Sequence, residues 1–416
     1  MKSNRQSLFL YSCIVWFLGA GFFFSEYVLR VSPAIMFPEL MNKFSVGAAA
    51  MGAISSFFYY PYIVMQIPVG ILTDRYGPRK IMVLAALLTG LACILFGVAN
   101  NVETAMFARL VMGFCAAFAF VGTLRIAINW FDIKYFPLLV GLTQAAGMLG
   151  AAFGGGPLSA YVLSVGVQVS MFSFAILFII ISFFMCIMLY KSPINGSKIK
   201  DESVAVLFGV AKSLKNKQFL VNCFYIGCLY APTTVIGESW GVNFTESFRL
   251  LSQTDAAFLV GLIFIGLAVG CPIMGIISTR FGNVFCMRVS AFGCLLCSVT
   301  IIYIPFNYIP FLIMIYFLYG IFNAGLIPSY ARSAVLVDKS ISGVALGITN
   351  MFSVLIGAIS VQIVGFLLDL YSTGAGYING VYPQSSYHII FIILIIFFIL
   401  AFMLSLCMRD RDTSKV

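Results

Sequence analysis

The chain has 416 residues, 62% of them hydrophobic and only 9% charged, with a formal net charge of +10. Soluble domains carry roughly 25% charged residues. So thin a complement cannot cover a water-facing surface, which excludes a soluble enzyme or soluble binding protein. The basic excess does not point to nucleic acid, because it is laid out by topology.

Twelve apolar runs follow one another, each of about 20 residues, enough to cross ~30 Å of hydrocarbon as a helix. Helix is required because lipid offers no partner for an unpaired backbone group. The expectation is an all-α membrane protein. The first run, 8–37, reads as a retained helix, being too long for a signal peptide and lacking a small-residue cleavage site. It carries Glu26 and Arg30, four apart and on one helical face. Charges at bilayer depth cost ~2.5–3.5 kcal/mol each on insertion scales, so they need a reason. Two readings are open: a neutral structural pair, or Arg30 taking an anionic substrate while Glu26 takes a proton. The second run, 46–69, holds Tyr59, Tyr60, Tyr62 and Gln66. Between it and the third, 79–98, lies Gly70-Ile71-Leu72-Thr73-Asp74-Arg75-Tyr76-Gly77-Pro78-Arg79-Lys80. Gly70 is expected to let helices approach closely, and Gly77 with Pro78 to make a tight turn. Asp74 is an anion among cations, placed to face the positive N-terminal end of another helix.

The fourth run, 104–126, carries Arg109, Gly113 and Arg125; the fifth, 137–160, carries Gln144 and a glycine-rich stretch ending at Pro157; the sixth is 168–190. Residues 191–216 are polar and basic, a cytoplasmic linker. The seventh, 217–238, holds Tyr225 and Tyr230, with Glu238 near its outer end. The eighth is 254–278 and the ninth 284–305. Cys294 and Cys297 inside the ninth have no second ligand pair and read as buried, inert thiols. The tenth, 308–332, contributes Asn323 and Arg332; the eleventh, 341–368, contributes Asn350, with Asp369 near its outer end. The twelfth is 386–408, and the single histidine, His388, makes no metal site alone. An even span count puts both termini on one side. Most Lys and Arg share that side, and only Lys43 and Arg249 clearly fall on the other, which places both termini in the cytoplasm.

The chain is written twice. Gly70 to Gly77 recurs as Gly275 to Gly282, with Thr279 in the place of Asp74; Gly113 and Arg125 recur as Gly320 and Arg332; Gly141-Leu142-Thr143-Gln144 recurs as Gly347-Ile348-Thr349-Asn350. The expected halves are 1–190 and 217–416, six spans each in the same orientation, joined by 191–216.

With these residues in view, the Gly70–Lys80 segment resembles the signature loop of the major facilitator superfamily, and Arg109-Leu110-Val111-Met112-Gly113 resembles that superfamily's R-x-x-x-G motif. The resemblance covers the whole chain. It implies a rocker-switch carrier with one substrate site between its halves. It also implies a latch formed by Gly70, Asp74, Arg75, Gly77 and Arg79, holding the outward-facing state against the eleventh helix near Ser340–Gly343. Arg109 and Gly113 would serve packing and coupling. Tyr27-Val28-Leu29-Arg30, followed by Met36-Phe37-Pro38, resembles a first-helix segment of organic-anion symporters in this superfamily, whose arginine contacts the substrate carboxylate. The acid usual just before that arginine is here Leu29, with Glu26 one turn earlier as its substitute. The glycines from Gly147 to Gly156 resemble an antiporter motif, but Ser159-Ala160 stand where two glycines are usual, and small residues also serve ordinary helix packing.

Arg30, Tyr59, Tyr62, Gln66, Gln144, Tyr230, Asn323 and Asn350 are the expected substrate contacts, with Glu26 coupling protons. Each polar residue taken singly is equally a helix–helix hydrogen bond. Arg125 and Arg332, one per half, either flank an inner vestibule or snorkel and bridge to loop acids such as Asp132 and Asp338. No phosphate loop, H-E-x-x-H or G-x-S-x-G occurs, so neither an ATP-driven pump nor an enzyme is expected, nor a cofactor, metal or catalytic residue. The expected function is proton-coupled symport of a small carboxylate-bearing solute by a monomer in a cell inner membrane. Drug or metabolite export by proton antiport is the alternative, and a transporter-fold receptor a further one.

Overall fold

The computed structural model describes residues 2–66, 68–132, 135–189, 213–305, 308–337, 342–372, 382, 386–387 and 390–409. Among these, ten helices are long and apolar enough to cross a membrane, and two shorter apolar helices, Leu139–Phe153 and Ile392–Leu406, bring the apolar helices to the number expected. The linker proposed at 191–216 lies largely outside the described residues, as does His388.

Helix α1 spans Lys2–Val31, α2 Pro33–Phe44, α3 Ala48–Met65, α4 Pro68–Tyr76, α5 Pro78–Gly97, α6 Val102–Trp130, α7 Phe136–Phe153 and α8 Gly156–Met188. After the linker come α9 Lys217–Val235, a π turn at Ile236–Trp240, α10 Gly241–Arg249, α11 Gln253–Phe281, α12 Asn283–Tyr303, α13 Ile309–Asn323, α14 Leu326–Leu336, α15 Ser342–Ser372 and α16 Ile392–Leu406. Prolines explain several starts. Pro33, Pro68 and Pro78 open α2, α4 and α5, where a missing N–H would have had no helical partner. Asn101, Asn216 and Ser252 cap α6, α9 and α11 by accepting from first-turn N–H groups.

Several boundaries differ from the sequence reading. The first run is two helices broken at Ser32, where Pro33 has no N–H to offer the Leu29 carbonyl. The loop motif is helical through Tyr76, so the joint between α4 and α5 is Gly77 alone, at φ +81. Gly282, its repeat partner, sits at φ +87 between α11 and α12. Both turns need glycine, since a side chain is strained at positive φ. Gly166, at φ +81, kinks α8 and divides the fifth span from the sixth.

Contacts divide the chain into two compact units. One contains residues 1–32 and 57–202, the other 33–56 and 203–416. In the first unit α1 packs on α6 and α7, and α5 on α6 and α8. In the second α9 packs on α15, α11 on α13, and α12 on α16. The repeat in sequence is therefore a repeat in packing, since α1 with α7 corresponds to α9 with α15. The closest approaches repeat too. A Cβ on Gly113 would collide with the Phe58 carbonyl, and one on Gly320 with the Ile263 carbonyl. Gly147, Gly150 and Gly154 of α7 lie against Tyr27 and Phe23, the Phe24 carbonyl and Val31 of α1, so these glycines serve helix packing. Gly70 has no heavy atom within 4 Å of where its Cβ would sit among the described residues. Large side chains such as Leu163, Ile176 and Phe183 of α8 are each about 60% exposed, a lipid-facing surface.

Candidate functional site

The end of α1 holds the densest buried charge in the first unit. Glu26 and Arg30 are 1% and 3% exposed. Arg30 Nη2 lies 2.6 Å from Glu26 Oε1, and its Nε donates to the same oxygen at 2.9 Å. The i, i+4 spacing makes the pair, as read from the sequence. Aromatic rings enclose it. The guanidinium carbon is 4.3 Å from the Tyr27 ring centroid, 4.6 Å from Tyr62 and 5.6 Å from Phe58. These are cation–π distances, and the rings keep water off the pair.

Arg109 of α6 completes the cluster from behind and is 1% exposed. It donates to the Leu29 carbonyl at 2.9 Å and the Arg30 carbonyl at 3.3 Å, and lies 4.5 Å from the Phe58 centroid. Its role follows from Pro33. A continuous helix would give the Leu29 carbonyl to the N–H of residue 33, and proline has none. Arg109 and the Ser32 hydroxyl, at 2.9 Å, take that acceptor instead. A cation at a helix C-terminus is also favourable against the helix dipole. Gly113, one turn along α6, brings the Phe58 backbone close enough for this arrangement. Arg109 therefore fixes the break, and the break fixes Arg30.

The structure separates the other expected contacts. In the first unit Tyr59 and Tyr62 are buried, and Gln66, just past the end of α3, has its amide 3.4 Å from the Tyr62 carbonyl. Gln144 is half-buried on α7. In the second unit Asn323 is fully buried and donates to the Leu229 carbonyl at 3.0 Å, a bond between helices. Tyr225 likewise donates to the Met287 carbonyl at 2.7 Å. Tyr230 is half-buried and donates to Glu238 at 2.9 Å. Asn350, also half-buried, accepts from Tyr330 at 2.7 Å. Arg332 is buried and donates to the Arg409 carbonyl and to Gln218, tying α14 to the end of α16 and the start of α9. Those bonds give it a bracing part, while Arg125 is half-buried.

Of the expected latch, Arg75 is exposed over the Tyr76 ring, and Arg79 donates to the Cys186 carbonyl at 2.8 Å, pinning α5 to the end of α8. Asp74 lies within α4, but its side chain is outside the described residues, as are Ser340 and Ile341. Two features escaped the sequence reading. Phe58 shares a helical face with Tyr62 at i, i+4 spacing, a signal that could have found it. Glu238 was placed near a span end, yet it is 1% exposed inside the π turn.

Comparison with known proteins follows the same lines. A family model described as Major Facilitator Superfamily matches residues 15–361. The probable sulfoacetate transporter SauU of Cupriavidus necator is 27% identical over 149 residues, covering 36% of this chain and 33% of SauU. The probable galactarate/D-glucarate transporter GarP of Escherichia coli K12 is 30% identical over 115 residues, 26% of each chain. Multidrug resistance protein 1 of Bacillus subtilis is 26% identical over 155 residues, 37% of each chain. The chain thus aligns with about a third of these relatives' length. Among solved structures, a bacterial homolog of the human lysosomal transporter Spinster gives a TM-score of 0.76 at 14% identity, covering 97% of this chain and 99% of that one. The nucleoside transporter NupG gives 0.74 at 16% identity, covering 97% and 100%. The sequence motifs, the repeated packing and the match over most of the chain agree: the protein belongs to the Major Facilitator Superfamily.

Proposed function

We propose that this chain is a secondary transporter that takes up a small organic anion together with a proton by rocker-switch alternating access. One observation carries the reading: a buried arginine in an aromatic box, neutralised by a buried glutamate on its own helix. A carboxylate or sulfonate entering that box competes with Glu26 for the guanidinium. The displaced Glu26 would then be a buried charge without its partner, which is strongly unfavourable. Taking up a proton removes that charge, so anion and proton bind together. The names of relatives support the substrate class, since sulfoacetate and glucarate are both small organic anions. Tyr59, Tyr62, Gln66 and Gln144 supply the polar wall in the first unit, and Tyr230, Asn323 and Asn350 are the expected contributions of the second. We assign the protein to a cell inner membrane with both termini cytoplasmic, acting as a monomer. Asp74, with Gly70, Arg75, Gly77 and Arg79, is the proposed cytoplasmic latch.

The test is uptake of radiolabelled sulfoacetate and D-glucarate by purified protein in proteoliposomes under an imposed pH gradient, acidic outside. Gradient-driven accumulation is expected in the parent and absent in Glu26→Gln. Accumulation unchanged in both Glu26→Gln and Arg30→Ala would overturn the site. A second reading, export of drugs or metabolites by proton antiport, draws on the match to the Bacillus subtilis multidrug protein. Dye efflux against the same gradient, with no anion accumulation, would establish it instead.

A further inference from the structure

A groove of about 360 Å³ opens on the second unit between α12 and α13. Phe285, Val289, Phe292 and Leu296 form one exposed stripe of α12, at i, i+4, i+7 and i+11. The last three line the groove, with Ile315 and Phe322 of α13 opposite. Gly293 lets the Phe322 ring lie where a Cβ would collide with it. The Thr300 hydroxyl at the far end already donates to the Leu296 carbonyl at 2.9 Å. A polar solute entering this groove would lose its water and gain no partner, whereas a hydrocarbon chain loses nothing. From Val289 to Thr300 the groove follows roughly 16 Å of helix rise. That is the depth of one leaflet, half of a ~30 Å hydrocarbon core.

The end of the groove toward the α11–α12 joint is cationic. Arg280 is exposed, 5.6 Å from the Phe281 ring centroid, and that ring lies 5.7 Å from Phe285 at the foot of the stripe. Arg288 immediately precedes Val289, and its Nε lies 3.4 Å from the Ser405 carbonyl, which leaves both terminal nitrogens for a further acceptor. No side chain caps the first N–H groups of α12 among the described residues, and that helix end is positive. The one acid of α11, Asp255, is at its opposite end, and α12 and α13 have none. Counting from the match of Gly77 with Gly282, the first copy differs at each point. Arg75 follows Asp74, whereas Arg280 follows Thr279, whose hydroxyl donates to the Ile276 carbonyl. Val83 and Leu88 stand at the positions of Arg288 and Gly293.

We propose that the groove and the two arginines form a site for one anionic phospholipid, with an acyl chain along Val289–Thr300 and the phosphate at Arg280 and Arg288. Charge complementarity selects this occupant. A basic end on an apolar groove one leaflet deep matches an anionic headgroup joined to a hydrocarbon chain. A neutral lipid would leave the arginines unused, and a free phosphate would leave the groove unfilled. The topology proposed above names the leaflet as the cytoplasmic one, and the site itself does not depend on it.

The test places the purified full chain in phosphatidylcholine nanodiscs with a few per cent of a probe lipid bearing a photoactivatable diazirine in its acyl chain. The probe headgroup is either phosphatidylglycerol or phosphatidylcholine, and cross-linked peptides are mapped by mass spectrometry. The phosphatidylglycerol probe is expected to label the segment 289–300 about twentyfold more than the phosphatidylcholine probe. Arg280→Gln and Arg288→Gln should each lower that preference about fivefold, the effect of one basic residue near an anionic membrane surface. Arg288→Lys should keep most of it, because the charge and not the contact with Ser405 is what binds. Val289→Trp, which fills the basic end of the groove, should cut labelling by both probes. Equal labelling by the two probes, unmoved by either glutamine variant, would mean ordinary solvating lipid and overturn the site. Inorganic phosphate displacing the phosphatidylglycerol probe as well as unlabelled phosphatidylglycerol does would also overturn it. The leaflet is checked separately with Asn283→Cys, expected to react with an impermeant maleimide in inverted vesicles and not in right-side-out ones. The opposite pattern would fail the topology, while the probe lipids still decide the site.

Discussion

The ends of the first and seventh spans occupy equivalent places in the repeat and solve the same backbone problem differently. Ser32, where α1 breaks, corresponds to Glu238, inside the π turn that follows α9. In the first unit the break is abrupt, because Pro33 removes a donor, and Arg109 takes up the carbonyl left behind. In the second, Pro232 lies inside α9, and the chain widens into a π turn without a full break. Tyr316 stands at the repeat position of Arg109, and its hydroxyl pairs with that of Thr245 at 2.6 Å. The glycine contacts at Gly113 and Gly320 are the same in both. Backbone packing is thus the shared inheritance of the two copies, and charge is what distinguishes them. The buried Glu26–Arg30 pair of the first copy has Pro232 and Ile236 at its repeat positions in the second.

The sharpest way to break that comparison is to remove the charge that only the first copy has. Arg30→Ala leaves Glu26 buried without its guanidinium. Removing one partner of a buried pair costs roughly 3–5 kcal/mol, and anion uptake is expected to fall more than a hundredfold. Thermal denaturation and proteoliposome uptake measure the two effects. The double variant Arg30→Leu/Glu26→Leu should recover most of the stability and none of the uptake.

Arg109→Ala against Tyr316→Phe compares the two brackets directly. The arginine makes two charge-assisted bonds, worth about 1.5–3 kcal/mol each, and the tyrosine one neutral bond worth about 1 kcal/mol. The first variant is expected to lose more stability by thermal melt, and the second little. Equal losses would mean that the break in α1 does not depend on Arg109.

Gly113→Ala and Gly320→Ala test what the copies share. Each added methyl meets a carbonyl on the facing helix. Each should cost about 1–3 kcal/mol by overpacking, and the two melting shifts should match. A large difference would show that the repeat in packing is only approximate.

The smallest expected effect belongs to the aromatic box. Tyr62→Phe keeps a ring over Arg30 and should change KM for the anion little. Tyr62→Leu removes about 0.5–2 kcal/mol of cation–π attraction, and a KM change of a few-fold in uptake assays checks it.

Much of this was legible in the chain. The i, i+4 spacing of Glu26 and Arg30 is local geometry, and a helix leaves two such side chains little choice but to meet. Gly77 beside Pro78 announced a tight turn, and the turn exists at φ +81, with its repeat partner Gly282 at φ +87. Asn323 shows the limit of that legibility. Its polarity in a buried span marks it as bonded, but only the neighbouring helix reveals a backbone carbonyl as its partner. Glu238 shows another, because a π turn follows from no simple periodicity and re-aims the side chain it carries.

What the sequence determined by itself was the class, the spans and the repeat. Composition, run length and recurring motifs act locally, and lipid forbids the alternatives to helix. Tertiary structure decided which of the buried polar groups brace the fold and which stand in a box of rings. It also decided that Asp369 would cap a helix beginning more than three hundred residues earlier. No spacing rule reaches so far, because the two residues meet only through the packing of the helices that carry them.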